Sequence, residues 1–261
     1  MKSTVNPHME YEISRQAPEK TCPVSGKSLF FKSGTLANKT EFLKSGGLTM
    51  PRRLTIAFFL VLFIAAYVPP AETADGVNGL ILGGSDESPV KLEVFSDFEC
   101  PYCSYLFFNA IQPVLKNYKD KVCVIYYEFP LNMHQYARPA SRYVSAAARL
   151  GDQKKILMLF DTIFAEQDEW ARNGNLEASV SKALSPDDFK IVKEIMETER
   201  ESIEQDIDRS VQLGLKRAIT GTPTLFLTYA GKQERVVMPS NIKDIYLLLS
   251  WRLNGLLGQQ K

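Results

Sequence analysis

The chain of 261 residues has little cysteine and less histidine, four of one and two of the other. Four cysteines are too few to staple a miniature disulfide fold. They are also unevenly placed: Cys22 near the N-terminus, Cys100 and Cys103 as a pair, and Cys123 alone. Beyond that pair only Cys22, Cys123, His8 and His134 are on offer as zinc ligands, with no second close spacing, so no metal is expected. Excess charge is lacking too, and a formal net charge of +1 leaves no basic footprint for nucleic acid. Internal repeats and low-complexity tracts are absent. With 45% hydrophobic residues the chain can bury the core of one large domain or two small ones.

One long apolar run is present. Leu54 to Val68 reads LTIAFFLVLFIAAYV, follows Arg52 and Arg53 directly and ends at Pro69-Pro70. This is the layout of a secretory signal or an N-terminal anchor. The run is shorter than the ~20 apolar residues that span a bilayer comfortably, which favours a signal peptide. Ala71 and Ala74 are not spaced for a clear cleavage site, so a retained membrane anchor stays open. Signal peptides begin close to their initiator methionine, yet residues 1–49 come first and are polar and poorly periodic. Met50 is therefore the expected start. Residues 1–49 are then a non-native or disordered extension, 50–74 the signal or anchor, and 75–261 the folded domain. On that reading Cys22 is not part of the protein.

In the body, Val90 to Phe95 (VKLEVF) alternates apolar and charged residues after Ser88-Pro89 and predicts a strand. Lys121 to Glu128 (KVCVIYYE) predicts a second. Between them Tyr102 to Tyr118 carries an apolar stripe at helical spacing, so the two strands are expected to be parallel, joined by a helical crossover. From about 134 to 216 the pattern is helical almost throughout, with Ser185-Pro186-Asp187-Asp188 starting one helix by capping serine, proline and acids. Thr224 to Tyr229, a turn at Ala230-Gly231-Lys232 and Glu234 to Met238 predict a β-hairpin, and Asn241 to Leu253 a terminal helix. The fold class is α/β, with an all-helical insertion.

Cys100-Pro101-Tyr102-Cys103 sits where a strand gives way to a helix. Unpaired N–H groups and a partial positive charge at a helix N-terminus favour a thiolate over a thiol. Cys100 is expected there, exposed and acidified, as the attacking sulfur, with Cys103 one turn on to resolve the mixed disulfide. Pro101 suits the first helical turn. A buried structural pair is the competing reading. More than a hundred residues on, Gly221-Thr222-Pro223-Thr224 opens the next strand.

Phe95-Ser96-Asp97-Phe98-Glu99-Cys100-Pro101-Tyr102-Cys103, a helical insertion, and Gly221-Thr222-Pro223-Thr224, in that order, resemble the DsbA-like branch of the thioredoxin superfamily. The resemblance spans roughly 90–253. It implies a thioredoxin fold, a central mixed sheet flanked by helices, and a cis bond at Pro223 packed opposite the disulfide. It implies that Thr222 and Pro223, with Pro101 and Tyr102 beside the cysteines, bind an extended substrate segment by strand addition. The implied activity is thiol–disulfide exchange without a cofactor, most simply a dithiol oxidase in the periplasm or elsewhere outside the cytoplasm. Its partners would be unfolded or partly folded exported proteins and a membrane redox partner that reoxidises the pair. A reductase or isomerase of the same fold and a non-catalytic binding module or chaperone are the alternatives. Tyr102 cannot supply the positive charge of a histidine, so a milder oxidant than a Cys-Pro-His-Cys enzyme is expected.

Other residues are given plainer expectations. Phe129-Pro130-Leu131 with His134 resembles the segment after the second strand in this branch, and His134 is assigned to packing or capping, with a part in shaping the active-site surface as the alternative. Cys123 is expected to be an inert, buried hydrophobe. Glu99 would oppose thiolate formation if close to Cys100, and the simpler expectation is that it points to water. Trp170 and Trp251 are expected to lie in the core or at its edge, and the acidic run Glu197 to Asp208 to be a solvated helix face.

Overall fold

A computed structural model describes residues 79–258 of the chain. The expectations for 1–49 and 50–74, Cys22 among them, lie outside the described residues.

Five strands form one mixed sheet in the order β1-β3-β2-β4-β5. They are β1 (Leu80–Gly83), β2 (Val90–Ser96), β3 (Val122–Glu128), β4 (Thr224–Tyr229) and β5 (Lys232–Arg235). β2 and β3 run parallel, Val90 beside Val122 through Ser96 beside Glu128, while β2–β4, β4–β5 and β1–β3 are antiparallel. The parallel pair has the expected crossover, although it is not one uniform helix. α1 (Pro101–Leu106) passes through a π-helical turn, Phe107–Ile111, into α2 (Gln112–Tyr118). Pro113 has no N–H to return to the Asn109 carbonyl and would crowd it in a regular helix. The regular ladder gives way in the widened turn just before it, where the Gln112 N–H reaches the Phe107 carbonyl.

The insertion consists of α3 (Ala137–Ala148), α4 (Gln153–Ala165), α5 (Gln167–Asn173), α6 (Leu176–Ala183), α7 (Pro186–Thr198) and α8 (Arg200–Lys216). Ser185 caps α7 as expected, its hydroxyl accepting the Asp188 N–H at 3.1 Å. The long helical stretch expected beyond it breaks at Glu199 into α7 and α8, with no glycine or proline to mark the place. The hairpin also differs from expectation. Ala230 and Gly231 both have positive φ, the two-residue turn that follows the strand twist, so β5 starts at Lys232 and ends at Arg235 rather than Met238. α9 (Ile245–Gly258) is the last described element, after a short turn at Ile242–Asp244.

Alternation along the strands splits the core in two. Val90, Leu92, Val94, Val122, Val124, Leu225 and Leu227 belong to the larger cluster, with Leu106, Ile111 and Val114 of the crossover and Leu249 and Leu253 of α9. Phe95, Cys123, Ile125, Tyr127 and Phe226 face the other way, toward Leu213 of α8. α8 comes that close because residue 214 is glycine: a Cβ there would stand 2.4 Å from the Phe129 ring. Cys123 is fully buried and burial raises its thiol pKa, in keeping with an inert residue. Trp170 is buried, its indole N–H donating to the Ile163 carbonyl at 2.7 Å, whereas Trp251 is exposed.

The acidic run is not simply solvated. Glu204 and Asp208 pair with Arg138, Glu204 also with Arg142, and Glu199 and Asp206 with Arg149, so α8 is laced to α3. Among the described residues no helix is long and apolar enough to cross a membrane.

Candidate active site

The site is built at the C-terminal end of β2. Phe98 turns into the core between Tyr126, Phe160 and Phe164, with ring centroids 5.3, 5.1 and 5.1 Å away, and so anchors the loop between β2 and α1. Cys100 follows as the N-cap of α1, in extended conformation, with Pro101 at the first helical position. Its carbonyl accepts the N–H groups of Cys103 and Ser104 at 3.0 and 3.2 Å, and its own N–H donates to the Asp97 carbonyl at 3.2 Å.

Cys100 is not exposed as expected. It is 5% accessible, and its Sγ lies 3.5 Å from the Thr222 carbonyl oxygen. Thr222-Pro223 is cis, as the resemblance implies, so residues 122 positions apart meet at the sulfur. Pro101 and Tyr102 are exposed beside it, Tyr102 at 62%.

The three described cysteines are free thiols. The paired ones differ sharply in acidity. A hydrogen bond from the Cys103 thiol is the largest influence on Cys100, and against the opposing effect of burial it brings the thiol down from the usual 9.0 to about 6. The N–H groups of Cys103 and Tyr102 and the Thr222 side chain act in the same direction. Among the described residues the buried Thr222 hydroxyl, beside the dithiol, has no hydrogen-bond partner, so it is free to turn toward a thiolate. Cys103 is 1% accessible, and burial first, then its bond to Cys100 and the charge there, pushes it well above 9.0. The Ser96 side chain and the Asp97 N–H, 3.5 Å from its sulfur, pull the other way. Near neutral pH the pair is therefore a thiolate at the rim and a thiol behind it, the division of labour that exchange requires.

Several residues that hold this geometry were not found from the sequence. Gln167, at the start of α5, is buried and its side-chain amide donates to the Phe98 and Cys100 carbonyls at 2.6 and 3.1 Å. Asp97 is 1% accessible and its carboxylate accepts the N–H groups of Glu99 and Leu131, each at 2.7 Å. Its Oδ2 also lies 2.8 Å from Nδ1 of His134, the histidine that the sequence offered for packing or capping or for the active-site surface. Glu99 does not face water alone: its carboxylate accepts the Tyr136 N–H at 2.5 Å. The one local signal was the acid two residues before Glu99, a spacing at which Asp side chains bond a following backbone N–H.

Comparison with known proteins bears on the fold. A family model described as thioredoxin matches residues 77–238. The thiol–disulfide exchange protein α-DsbA2 of Wolbachia pipientis superposes with a TM-score of 0.53 at 18% identity, over 67% of this chain and 85% of that one. BdbD of Bacillus subtilis, in its oxidised form, gives 0.53 at 17% identity, over 69% and 94%. These likenesses concern the fold, a thioredoxin fold interrupted by helices. A probable disulfide bond formation protein D of Bacillus cereus is 24% identical over 152 residues, 55% of this chain and 68% of that protein. The Na(+)/H(+) antiporter NhaA 3 of Salinispora tropica is 29% identical over 192 residues. That match takes in 66% of this chain, which spans only 28% of the antiporter's length.

Proposed function

This chain belongs to the thioredoxin family, and from that premise we propose that it is a protein thiol–disulfide oxidoreductase working outside the cytoplasm as a dithiol oxidase. The observation that carries the reading is the asymmetry of the pair: Cys100 acidified to about 6 at the rim against the Thr222-Pro223 loop, and Cys103 buried and held as a thiol. Stabilising the dithiol form as a thiolate makes the corresponding disulfide oxidising, which is how DsbA reaches about −120 mV against about −270 mV for thioredoxin. The relatives named for disulfide formation support the same direction. The apolar run Leu54 to Val68 behind Arg52-Arg53 supports export, cleaved or retained.

In the oxidising direction a client thiolate attacks Cys100 Sγ of the enzyme disulfide. The Cys100–Cys103 bond breaks, Cys103 leaves as a thiolate that takes a proton, and a client–Cys100 mixed disulfide forms. A second client thiolate attacks the client sulfur of that bond and expels Cys100 as its stable thiolate. Two electrons pass to the enzyme and one disulfide to the client. A membrane partner's disulfide then accepts the electrons: Cys100 attacks it, and Cys103 resolves the mixed disulfide. Thr222, Pro223, Pro101 and Tyr102 form the surface on which the client segment lies, with backbone pairing at Thr222 giving little selectivity among unfolded clients.

The test is stoichiometric. Oxidised protein mixed with a reduced, unfolded client should yield client disulfides and dithiol enzyme, and Cys100→Ser should yield none. Equilibration with glutathione should place the pair between thioredoxin and the Cys-Pro-His-Cys oxidases. A pair as reducing as thioredoxin, or found mainly reduced in cells by thiol trapping, would assign it to reduction or isomerisation instead.

A further inference from the structure

Tyr102 leaves the cysteine motif without a cation, and a histidine stands in the loop that Asp97 ties to it. Leu131 to His134 form a turn closed by the His134 N–H on the Leu131 carbonyl at 3.0 Å. Asp97 fastens that turn at both ends, accepting the Leu131 N–H at 2.7 Å and meeting His134 Nδ1 at 2.8 Å. An ionised carboxylate only accepts, so Nδ1 carries a proton and the ring orientation is fixed, leaving Nε2 to take the second. The same Asp97 bonds both cysteines through its backbone, its carbonyl to the Cys100 N–H at 3.2 Å and its N–H to Cys103 Sγ at 3.5 Å.

We propose that His134, oriented by Asp97, is a positioning residue whose imidazolium stabilises the Cys100 thiolate and so strengthens the oxidising character of the pair. The redox consequence rests on the dithiol-oxidase reading; the effect on the sulfur does not. The charges that act on the imidazole are those of Asp97, Glu99 and Cys100. Burial disfavours its charged form, but the Asp97 bond and those three charges prevail and raise its pKa above 6.5. Glu99, which opposes a thiolate, is drawn off by the Tyr136 N–H.

The experiment follows the alkylation rate of Cys100 by iodoacetamide against pH in the reduced full chain. His134→Gln should lower the rate at pH 6 about tenfold and move the inflection upward, as loss of a nearby opposite charge does. It should shift the glutathione equilibrium about tenfold toward the disulfide. His134→Lys should restore much of both, and Asp97→Asn, which removes an opposing charge together with the orienting bond, should move the inflection less than His134→Gln. An unchanged inflection in folded His134→Gln overturns the proposal. So does an effect of Asp97→Asn without one of His134→Gln, which would put the action in the loop backbone. Should His134→Gln fail to fold, the wild type still decides. His134 is one of two histidines, and its imidazole should titrate higher by proton NMR in the reduced than in the oxidised protein. Equal values overturn the proposal. A protein that does not oxidise clients but shows these shifts loses the oxidase reading and keeps this one.

Discussion

The corner between β2 and α1 and the seam between α3 and α8 both carry charged side chains, and they use them in opposite ways. In the corner one fully enclosed carboxylate, Asp97, holds two backbone N–H groups and an imidazole. In the seam Arg138, Arg142 and Arg149 share four carboxylates at side-chain exposures between 22% and 60%. Few, buried and fully bonded groups fix a geometry and are costly to lose. Many half-exposed pairs lace two helices together at little energy each.

The largest effect should come from Asp97→Ala. It leaves the Glu99 and Leu131 N–H groups and His134 without their acceptor, and about 3–5 kcal/mol of stability should be lost in urea unfolding, together with most exchange activity. A cost under about 1 kcal/mol would erase the contrast with the seam.

Glu128 lies where the two regions meet, paired with Ser96 in the sheet register and accepting the Ser145 hydroxyl of α3 at 2.7 Å. Burial is the main cause that pushes its carboxyl up to about 7, with the Asp206 charge adding to it. A carboxyl with a raised folded pKa binds its proton more tightly in the folded state. Its contribution is therefore full below about 4.5 and lost as pH rises to about 7. Glu128→Gln should abolish that loss and stabilise the protein at pH 8 by up to ~3 kcal/mol, with little change at pH 4. A pH–stability curve unaltered by the substitution would show that Glu128 ionises freely.

Gln167→Leu removes the bonds that tie α5 to the Phe98 and Cys100 carbonyls. It should cost about 1–3 kcal/mol and slow exchange, with unchanged binding of unfolded clients. Equal activity would mean that the insertion does not help to hold the cysteine loop. The smallest effect belongs to the seam: Arg142→Ala should cost under about 1 kcal/mol, reduced further by salt, in thermal unfolding at two ionic strengths.

What the sequence made legible was local. The alternation of Val90 to Phe95, the dense apolar run before Glu128, the capping Ser185 and the two cysteine and proline motifs each carry their signal within a few residues. β1 escaped notice because Leu80–Gly83 is four residues ending in glycine, too short for a pattern. The break at Glu199 has no helix-stopping residue and is set by packing of α7 and α8 against α3. Gln167 acts on carbonyls 69 and 67 positions away, and Asp97 reaches His134 across 37, so no window along the chain shows them. Glu99 and the acidic helix were assigned to water because a carboxylate's partner lies in the fold, not in its neighbours. Cys100 was expected to be exposed for the same reason: the Thr222-Pro223 loop that covers it comes from the other end of the domain.

The most direct test is a titration of the thiolate absorbance of the reduced protein, taken as the difference between wild type and Cys100→Ser so that Cys123 cancels. An inflection near about 6 is expected for Cys100; one near the ordinary 9.0 would contradict an activated sulfur at this corner.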